Sequence, residues 1–427
     1  MSNRATEAVV HAPASAHPLA QLHDPATIRA RCAAILKSVE SGVSPSFAID
    51  RSRLPAVADR VAALTLKRYP DLVIPFHSRW RHFEAGGVDR KAEMDALLAG
   101  RSVADIARAR FDLTVISVLL DAGAGPSWTN TEAGSGQKLQ RSEGLGVASF
   151  RAFMAGTFSD TANEPLRVDA SALLRIDAAA LRSVFQSGSD SPMVGLEGRA
   201  ALLVRLGQAL QREAGRSGLQ ARPGLIYDRL TDHGTRGSVS AAEVLSEILR
   251  SLSPIWPSGS TVQGLAAGDV WAHRWAGAGI GGGKADRTTD GWVPFHKLSQ
   301  WMSYSLLEPL QWAGVSVTGL DALTGLPEYR NGGLLLDGGV IRPRDPRLLS
   351  RTWKPQDEFI IEWRALTVVL LDELAVLVRT RLGKTAEELP LACILEGGTW
   401  AAGREIAQEL RADGAPPLRI ESDGTIF

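Results

Sequence analysis

Helical periodicity dominates this 427-residue sequence and constrains its fold more than any other feature. Apolar residues recur at Ile28, Cys32 and Ile35, which is the spacing of one face of an α-helix. The same kind of pattern predicts helices over 54–68, 90–98, 103–120, 295–312, 359–382 and 403–411. Few segments have a pattern typical of β-strands, and the best candidates are 333–341 and 418–427. The sequence therefore predicts a mainly α, multi-helix fold with long loops and a few short strands.

The length and the N-terminal composition bound the domain organisation. Residues 1–20 are predicted to form a loose tail, and residues 21–427 one large, mainly helical catalytic unit. A division into two lobes, over about 21–220 and 221–427 with the site between them, stays open. No apolar run approaches the roughly 20 residues that cross a bilayer, and the tail lacks the apolar core of a secretory signal. We expect a cytoplasmic protein that makes no membrane contact.

Charge and cysteine usage exclude several kinds of site. The 47 basic and 47 acidic side chains cancel, whereas nucleic-acid binding usually needs a basic face. We therefore expect no nucleic-acid partner, although a small basic pocket for one phosphate is compatible with this composition. Cys32 and Cys393 are far apart and belong to no CxxC motif, and His77 and His82 lack the spacing of a helical metal pair. We expect no metal and no organic cofactor.

The densest polar cluster lies between Phe76 and Gly87. A preceding proline and two following glycines predict a loop with special backbone geometry. Arginine suits bidentate contact with phosphate, and an aromatic ring can stack on a sugar. The alternative is a structural network that ties two helices together. The candidate ligand-binding residues in this cluster are His77, Arg79, Trp80, Arg81 and His82.

A second candidate segment leads into the helix predicted over 295–312. Lys297, Gln300 and Tyr304 share one helical face, and a lysine near a helix start could meet an anion where the helix dipole also favours negative charge. Trp292, just upstream, is a candidate to pack against a flat ligand. The alternative is a solvated polar stripe.

The main candidate for chemistry is Leu326–Gly333. Pro327 fixes the backbone before Glu328, and the two glycines at 332 and 333 permit close approach of a ligand. Glu328 and Arg330 supply a carboxylate and a cation two residues apart. Cleavage of an N-ribosyl bond needs such a carboxylate to stabilise an oxocarbenium-like state and to orient water. Taken alone, this segment is better interpreted as a tight turn with a surface salt bridge than as a catalytic site.

Glu328 would need a second group that assists the leaving nitrogen. Asp290 and Asp337 are the candidate partners, and with Glu328 they form the proposed catalytic set. Arg330, Lys297, Tyr329 and Gln300 are the candidate phosphate-binding and substrate-binding residues near it.

Four longer segments together resemble a uracil-catabolism family of fungi and bacteria, long described as a domain of unknown function. The resemblance covers nearly the whole chain after the first twenty residues, and it implies a role in a pathway that opens uracil as a ribotide and releases urea. The segments are 76–90, 290–305, 326–333 and 395–404.

A partial likeness to the queuosine-salvage nucleoside 5′-phosphate glycosylases adds a reaction type. Lys-Leu-Ser-Gln at 297–300, Leu323-Thr324 and Glu328-Tyr329-Arg330 follow the order of that family's Lys-Arg-Ala-Gln, Leu-Thr and Asp-Tyr-Arg. The likeness implies an α-helical fold similar to that of DNA glycosylases, and it places Glu328 at the family's catalytic Asp. This chain departs from the family's pattern at two positions. Glu328 is longer than the family's catalytic Asp by one methylene, and Ser305 stands where the family has a helical Asp.

These resemblances imply hydrolysis of an N-ribosyl bond in a 5′-phosphorylated intermediate of uracil breakdown. Ribosylurea 5-phosphate is the specific substrate expected, with urea and ribose 5-phosphate as products. Contact with other uracil-catabolism enzymes is also expected, and the oligomeric state is left open. Two alternatives are a non-catalytic partner that shields an intermediate and an amidohydrolase acting on the ureide. The second lacks a metal-ligand pattern and a Ser or Cys nucleophile motif.

Overall fold

A computed structural model describes residues 19–421, except 126, 162, 218–220, 257–259 and 278–288. The predicted tail over 1–20 lies outside the described residues apart from its last two positions, and so does the end of the strand predicted over 418–427. The chain is mainly helical, as the periodicity predicts. The helices are α1 Pro25–Glu40, α2 Leu54–Arg68, α3 Arg79–Phe83, α4 Arg90–Leu97, α5 Val103–Leu119, α6 Arg141–Met154, α7 Ala170–Leu173, α8 Ala178–Val184, α9 Leu196–Ser217, α10 Leu225–Thr231, α11 Ala241–Leu252, α12 Lys297–Trp312, α13 Tyr329–Asp337, α14 Glu358–Leu382, α15 Leu391–Ile394 and α16 Trp400–Leu410.

Side-chain caps explain why several helices begin where they do. Asp24 accepts a hydrogen bond from the backbone of Ala26, and Pro25 opens α1. Ser102 caps α5 through the N–H of Asp105. Ser240 and Glu243 form a complete capping box at α11. Each cap satisfies N–H groups that have no partner within the helix, and this is why the start of α1 and of α5 could be predicted to within a residue.

The strands are short and pair two by two. Four pairs are antiparallel, namely β1 with β10, β2 with β3, β5 with β6 and β7 with β8, while β4 with β9 and β11 with β12 are parallel. The pairs β2–β3 and β5–β6 are local hairpins, the other four join parts of the chain that lie farther apart, and each sheet among the described residues has two strands. Their bounds are β1 Phe47–Ile49, β2 Asn130–Thr131, β3 Lys138–Leu139, β4 Ser238–Ser240, β5 Thr261–Val262, β6 Leu265–Ala266, β7 Val270–Ala272, β8 Trp292–Pro294, β9 Ser316–Thr318, β10 Ile341–Pro343, β11 Thr352–Trp353 and β12 Arg419–Ile420.

Two local predictions were wrong. The polar cluster at 76–87 is not a continuous loop, because α3 forms inside it; the left-handed backbone at Gly86 and Gly87 comes only afterwards. The segment 333–341 is mostly helix α13 rather than strand, and pairing starts only at Ile341. Glu328 caps α13, and a capped helix start overrides the β-like composition that follows it.

The hydrophobic core runs through the described chain as one connected cluster from Ile28 on α1 to Leu418. The long helix α14 packs against α1, α2 and α13, while α12 packs against α5 and α11. α13 lies tightly against α16. The prediction of two lobes stays a prediction. Within the described ranges no helix is long and apolar enough to cross a membrane.

Candidate active site

Glu328 is fixed at the start of α13. Its two carboxylate oxygens accept hydrogen bonds from the backbone N–H groups of Asn331, at 2.6 Å, and Arg330, at 2.7 Å. The positive end of the helix dipole attracts negative charge at this position. Glu328 is only half-buried, and each oxygen keeps lone pairs beyond the one that caps the helix. The result is an immobilised, half-buried carboxylate whose remaining lone pairs can accept further hydrogen bonds.

Lys297 opens α12 and shares the surroundings of Glu328. Its side chain keeps some accessible surface, yet burial lowers the pKa of its ammonium group, and Arg364 lowers it further. The negative charges of Glu328, Asp121 and Asp269 oppose that shift, with Glu328 the strongest of the three. Lys297 and Glu328 therefore interact electrostatically, and Lys297 keeps part of its surface accessible at the start of α12.

Asp269 holds the start of α12 in place. It accepts hydrogen bonds from the backbone N–H of Lys297 at 2.9 Å, from Trp271 at 2.6 Å and from both terminal nitrogens of Arg364 at 2.7 Å. Burial alone would raise the pKa of Asp269, but Arg364 holds it well below its ordinary value. His296, the residue before α12, adopts the left-handed backbone with φ 46°, a conformation that needs such surrounding support.

Trp301 and His82 form an aromatic contact between α12 and α3. Trp301 lies one turn after Lys297, so the two share a face of α12. The ring of His82, from α3, meets the ring of Trp301 edge to face with centroids 5.8 Å apart. The guanidinium of Arg79 lies 5.6 Å from the same indole. The polar cluster of α3 thus contacts the same face of α12 that carries Lys297.

Arg79 and His82 interact directly. Nη1 of Arg79 is 3.3 Å from Nδ1 of His82, and Arg79 also bonds Ser117 on α5, Ser142 on α6 and Asp121 after α5. Because arginine only donates, Nδ1 of His82 accepts and its proton lies on Nε2. Burial lowers the pKa of His82 well below its ordinary value, and the nearby charge of Arg79 lowers it further. His82 is therefore neutral near pH 7, with an N–H on Nε2.

Arginines gather on the other side of Glu328. Burial lowers the pKa of Arg330, Glu328 opposes this, and the positive charges of Arg141, Arg404 and Arg411 lower it further. Arg404 on α16 lies 3.3 Å from Glu143 on α6, and Glu143 in turn interacts with Arg79. We call the residues that these contacts and electrostatic interactions link the polar ring. Its members are Arg79, His82, Glu143, Lys297, Trp301, Glu328, Arg330 and Arg404.

The polar ring draws on α3, α6, α12, α13 and α16. Of the predicted site residues, it brings together Glu328, Arg330, Lys297, Arg79 and His82. Three others lie elsewhere. Asp337 is nine residues after Glu328's cap position on α13, about 13 Å along the helix, and it pairs with Arg411 at 2.5 Å. Asp290 is exposed and lies 3.5 Å from Arg31. Trp292 packs against the small cluster around Leu19 and Val270.

The remaining predicted binding residues sit in structural contacts beside the ring. Trp80 is buried against Phe83 and Trp312. Gln300 is buried with its amide on Thr324. His77 lies 2.9 Å from Glu396, and Arg81 bonds Glu308 at 2.8 Å. Tyr329 is partly buried against the core. These contacts match the alternative of a helix-tying network for His77, Trp80 and Arg81, and none of them tests a role in binding.

The glycines of the main candidate segment serve helix packing. A Cβ on Gly332 would come 2.2 Å from the ring of Trp363 on α14. Across the interface with α16, a Cβ on Gly403 would come 2.0 Å from the carbonyl oxygen of Arg330. The expectation that Gly332 admits a ligand was therefore wrong, because a neighbouring helix occupies that side. Gly332 and Gly403 let α13 approach its neighbours closely, which sets the position of Glu328.

Several buried polar atoms near the ring have no hydrogen-bond partner among the described residues. They are Nε1 of Trp301, Oδ1 of Asn331, Oγ1 of Thr399 and Nη2 of Arg79. Leaving such a group unpaired costs about 1–3 kcal/mol. Thr399 ends a π-helical turn, Leu395–Thr399, and such turns occur frequently at functional sites. These atoms are candidates to meet a ligand.

Sequence reasoning gave no role to Trp301, Glu143 and Arg404, and it included Asn331 in the candidate segment without giving it a role of its own. Trp301 carried a usable signal, because it lies four residues after Lys297 and so on the same face. Glu143 and Arg404 carried none, because only the packing of α6 and α16 brings them to the site. In the part of the chain that the structure describes, no three His, Cys, Asp or Glu side chains are grouped to hold a metal ion.

Comparison with known proteins places the chain in one family. Residues 21–427 match the family described as "Protein of unknown function (DUF1688)". Protein urg3 of Schizosaccharomyces pombe is 38% identical over 422 residues, covering 97% of this chain and 100% of that protein. Uracil catabolism protein 4 of Lachancea kluyveri is 36% identical over 414 residues, covering 90% of this chain and 93% of that protein.

Proposed function

The chain belongs to the DUF1688 family, and we propose that it acts in uracil catabolism by hydrolysing the N-ribosyl bond of a 5′-phosphorylated intermediate, specifically ribosylurea 5-phosphate. The Lachancea kluyveri relative is named uracil catabolism protein 4, and this name supports the assignment to uracil catabolism. The likeness to queuosine-salvage glycosylases stays a prediction, so the site itself must support the chemistry.

The observation that carries the proposal is the carboxylate of Glu328, half-buried and held by two backbone N–H groups. Loss of a ribosyl leaving group builds positive charge at C1′. A preorganised carboxylate stabilises that charge without reorganising at the moment of reaction. Its remaining lone pairs can also orient a water molecule and take one of its protons. Glu328 combines these requirements at one position.

Charge around the site favours one side for the phosphate. Arg330 has Glu328 as its strongest charged neighbour, followed by Arg141, Arg404 and Arg411. Glu143 pairs with Arg404 and Asp337 with Arg411, so four cations stand against three carboxylates and an anion there meets net positive charge. Lys297 has Glu328, Asp121 and Asp269 nearby, with Arg364 the opposing charge. We therefore assign the phosphate to the Arg330 side, while Lys297 contacts the ribose or the leaving group. This narrows the expectation that both cations hold phosphate.

The direct test is turnover. Purified protein is incubated with enzymatically prepared ribosylurea 5-phosphate, and urea and ribose 5-phosphate are quantified over time. The proposal predicts equimolar release of both products. It also predicts much slower release from unphosphorylated ribosylurea, which lacks the group that the arginines bind. Folded protein that releases no urea would refute the substrate assignment.

A further inference from the structure

Neither Asp290 nor Asp337 lies beside Glu328, so the site needs another group to assist the leaving group. Two N–H groups lie on the contacting rings of His82 and Trp301, and Trp301 lies one turn along α12 from Lys297, whose charge interacts with Glu328. Trp301 is 6% exposed, and its Nε1 has no partner among the described residues. His82 has its proton on Nε2, because Nδ1 accepts from Arg79. Nε2 also meets no partner within the described ranges.

We propose that His82 and Trp301 donate hydrogen bonds to the carbonyl oxygen of the departing ureide, making His82 a catalytic residue of the hydrolysis. This inference rests on the proposed function and identifies the groups that recognise its leaving group. An indole N–H and a neutral imidazole N–H are pure donors here, and a urea carbonyl is an acceptor. The unpaired Oδ1 of Asn331, next to Glu328 on α13, complements them because it can accept from the ureide's N–H.

The step balances without a further reactant. The C1′–N bond breaks with both electrons leaving on nitrogen, and the negative charge spreads to the carbonyl oxygen that faces His82 and Trp301. Water adds to C1′ and gives one proton to Glu328. That proton replaces the ribosyl group on the departing nitrogen, which leaves as urea. Donors aimed at developing negative charge act mainly in the transition state.

The surroundings of His82 keep its ring a donor at Nε2. Arg79, His77 and Arg81 all lower its pKa, burial contributes most, and Glu396 opposes them. Glu396 is itself engaged by Arg68, Tyr69 and His77. Arg79 is anchored to Ser117, Ser142 and Asp121, so the contact that orients the His82 ring is itself supported. Asp121 and Glu143 are acidic groups that interact with Arg79, and Lys297 lies one turn before Trp301 on α12.

The first experiment uses no turnover. Protein labelled with ¹⁵N-histidine is examined by NMR at pH 7, with the His82 signals assigned by their loss in His82→Gln. The inference predicts a neutral ring with hydrogen on Nε2. Ribosylurea 5-phosphate, added to the Glu328→Gln protein, should shift the Nε2 resonance. A protonated ring, hydrogen on Nδ1, or an unmoved Nε2 signal would overturn the inference, whether or not the protein hydrolyses this compound.

The second experiment tests the contact between the indole N–H of Trp301 and the carbonyl oxygen of the ureide. Trp301→Phe keeps a ring but removes the N–H, and the thioureide analogue replaces the carbonyl oxygen by a weaker acceptor. We expect Trp301→Phe to lower kcat for the oxygen substrate by about 100-fold with little change in KM, and to lower it far less for the sulfur analogue. Equal losses for both compounds would overturn the contact. If wild type releases no urea, binding of the two compounds is compared in Glu328→Gln with and without Trp301→Phe. A preference for oxygen that Trp301→Phe abolishes supports the contact, and a preference that it leaves unchanged contradicts the contact.

Matched variants separate a donor from a packing role. Trp353 is 7% exposed, and its indole N–H bonds the carbonyl of Leu348. Trp353→Phe should therefore leave the preference for oxygen over sulfur intact. His82→Gln keeps an N–H donor, so it should retain more kcat than His82→Ala. The reverse order would show that His82 acts by packing alone.

Discussion

At the scale of single residues, the candidate site depends on the partners that each side chain meets in the fold. Glu328 and Lys297 could be singled out from the sequence, because a carboxylate before a helix and a lysine at a helix start are local features. Asp337 was misleading, since nine residues of helix separate it from the cap and Arg411 neutralises it. The spacing from Lys297 could have placed Trp301 on the same helical face, but only the structure shows that its N–H group has no partner among the described residues.

Arg330 supports a prediction about phosphate. Replacing it by Met in Arg330→Met should weaken binding of ribose 5-phosphate by about tenfold or more, the value of a charge-assisted hydrogen bond. Binding of ribose without phosphate should change little. Isothermal titration with both ligands measures this. Arg347→Met is the control, because Arg347 is 89% exposed and its ion-pair partner among the described residues is the neighbouring Asp345. Equal weakening for both ligands would contradict the assignment of Arg330 to the phosphate.

At the scale of elements, helix bounds were largely predictable, whereas their packing was not. The range of α2 follows directly from its periodicity, and the caps of α1 and α5 follow from Asp24 and Ser102. The glycines at 332 and 403 could not be interpreted alone, because glycine fits a turn, a ligand contact or a close helix crossing equally well. Only the positions of α14 and α16 decide for the crossing.

The interface of α13 with α16 makes a prediction about stability. Gly403→Ala places a Cβ against the backbone of Arg330 and should lower the free energy of unfolding by about 1–3 kcal/mol, as overpacking does. Gly215→Ala on α9 is the matched control, since nothing lies within 4 Å of its Cβ. It should raise stability by about 0.5–1 kcal/mol, because alanine suits a helix better than glycine. Urea unfolding of both variants measures these changes in the free energy of unfolding. A Gly403→Ala protein more stable than wild type would refute the close crossing of α13 and α16.

The ion pair between Glu132 and Arg90 ties the β2–β3 hairpin to α4. Both side chains are fully buried, and the hydrogen bond from Arg90 helps lower the pKa of Glu132 from 4.5 to about 2. Because the folded-state pKa is depressed, the pair's contribution is complete above about pH 4.5 and is lost as the pH falls toward 2. Removing one partner of a buried pair costs about 3–5 kcal/mol.

Glu132→Gln should therefore be much less stable than wild type at pH 7, and the gap should narrow below pH 4.5. Urea unfolding at pH 7, 4 and 3 measures it. Asp345→Asn, at the exposed pair with Arg347, serves as control and should change stability little at pH 7. A gap for Glu132→Gln that stays constant from pH 7 to 3 would contradict the account.

At the scale of the whole molecule, the mainly α class follows from periodicity, but the site depends on long-range packing. The polar ring joins α3 and α6 from the first half of the chain to α12, α13 and α16 from the second, and one connected core underlies both halves. No sequence pattern states which loops and helices meet across several hundred residues. The resemblance to a known family supplied the pathway, and the packing supplied the groups that could act on its intermediate.

The central claim is that Glu328 performs N-ribosyl hydrolysis, and Glu328→Gln tests it most directly. Gln keeps the size of the side chain and part of the helix cap, so ribosylurea 5-phosphate should still bind with affinity close to that of wild type. Asp177→Asn, which alters the cap of α8, controls for loss of a capping carboxylate and should keep full activity. The account predicts urea release from Glu328→Gln at least about 100-fold slower than from wild type. Release at the wild-type rate would show that Glu328 is only a helix cap, and would contradict the account.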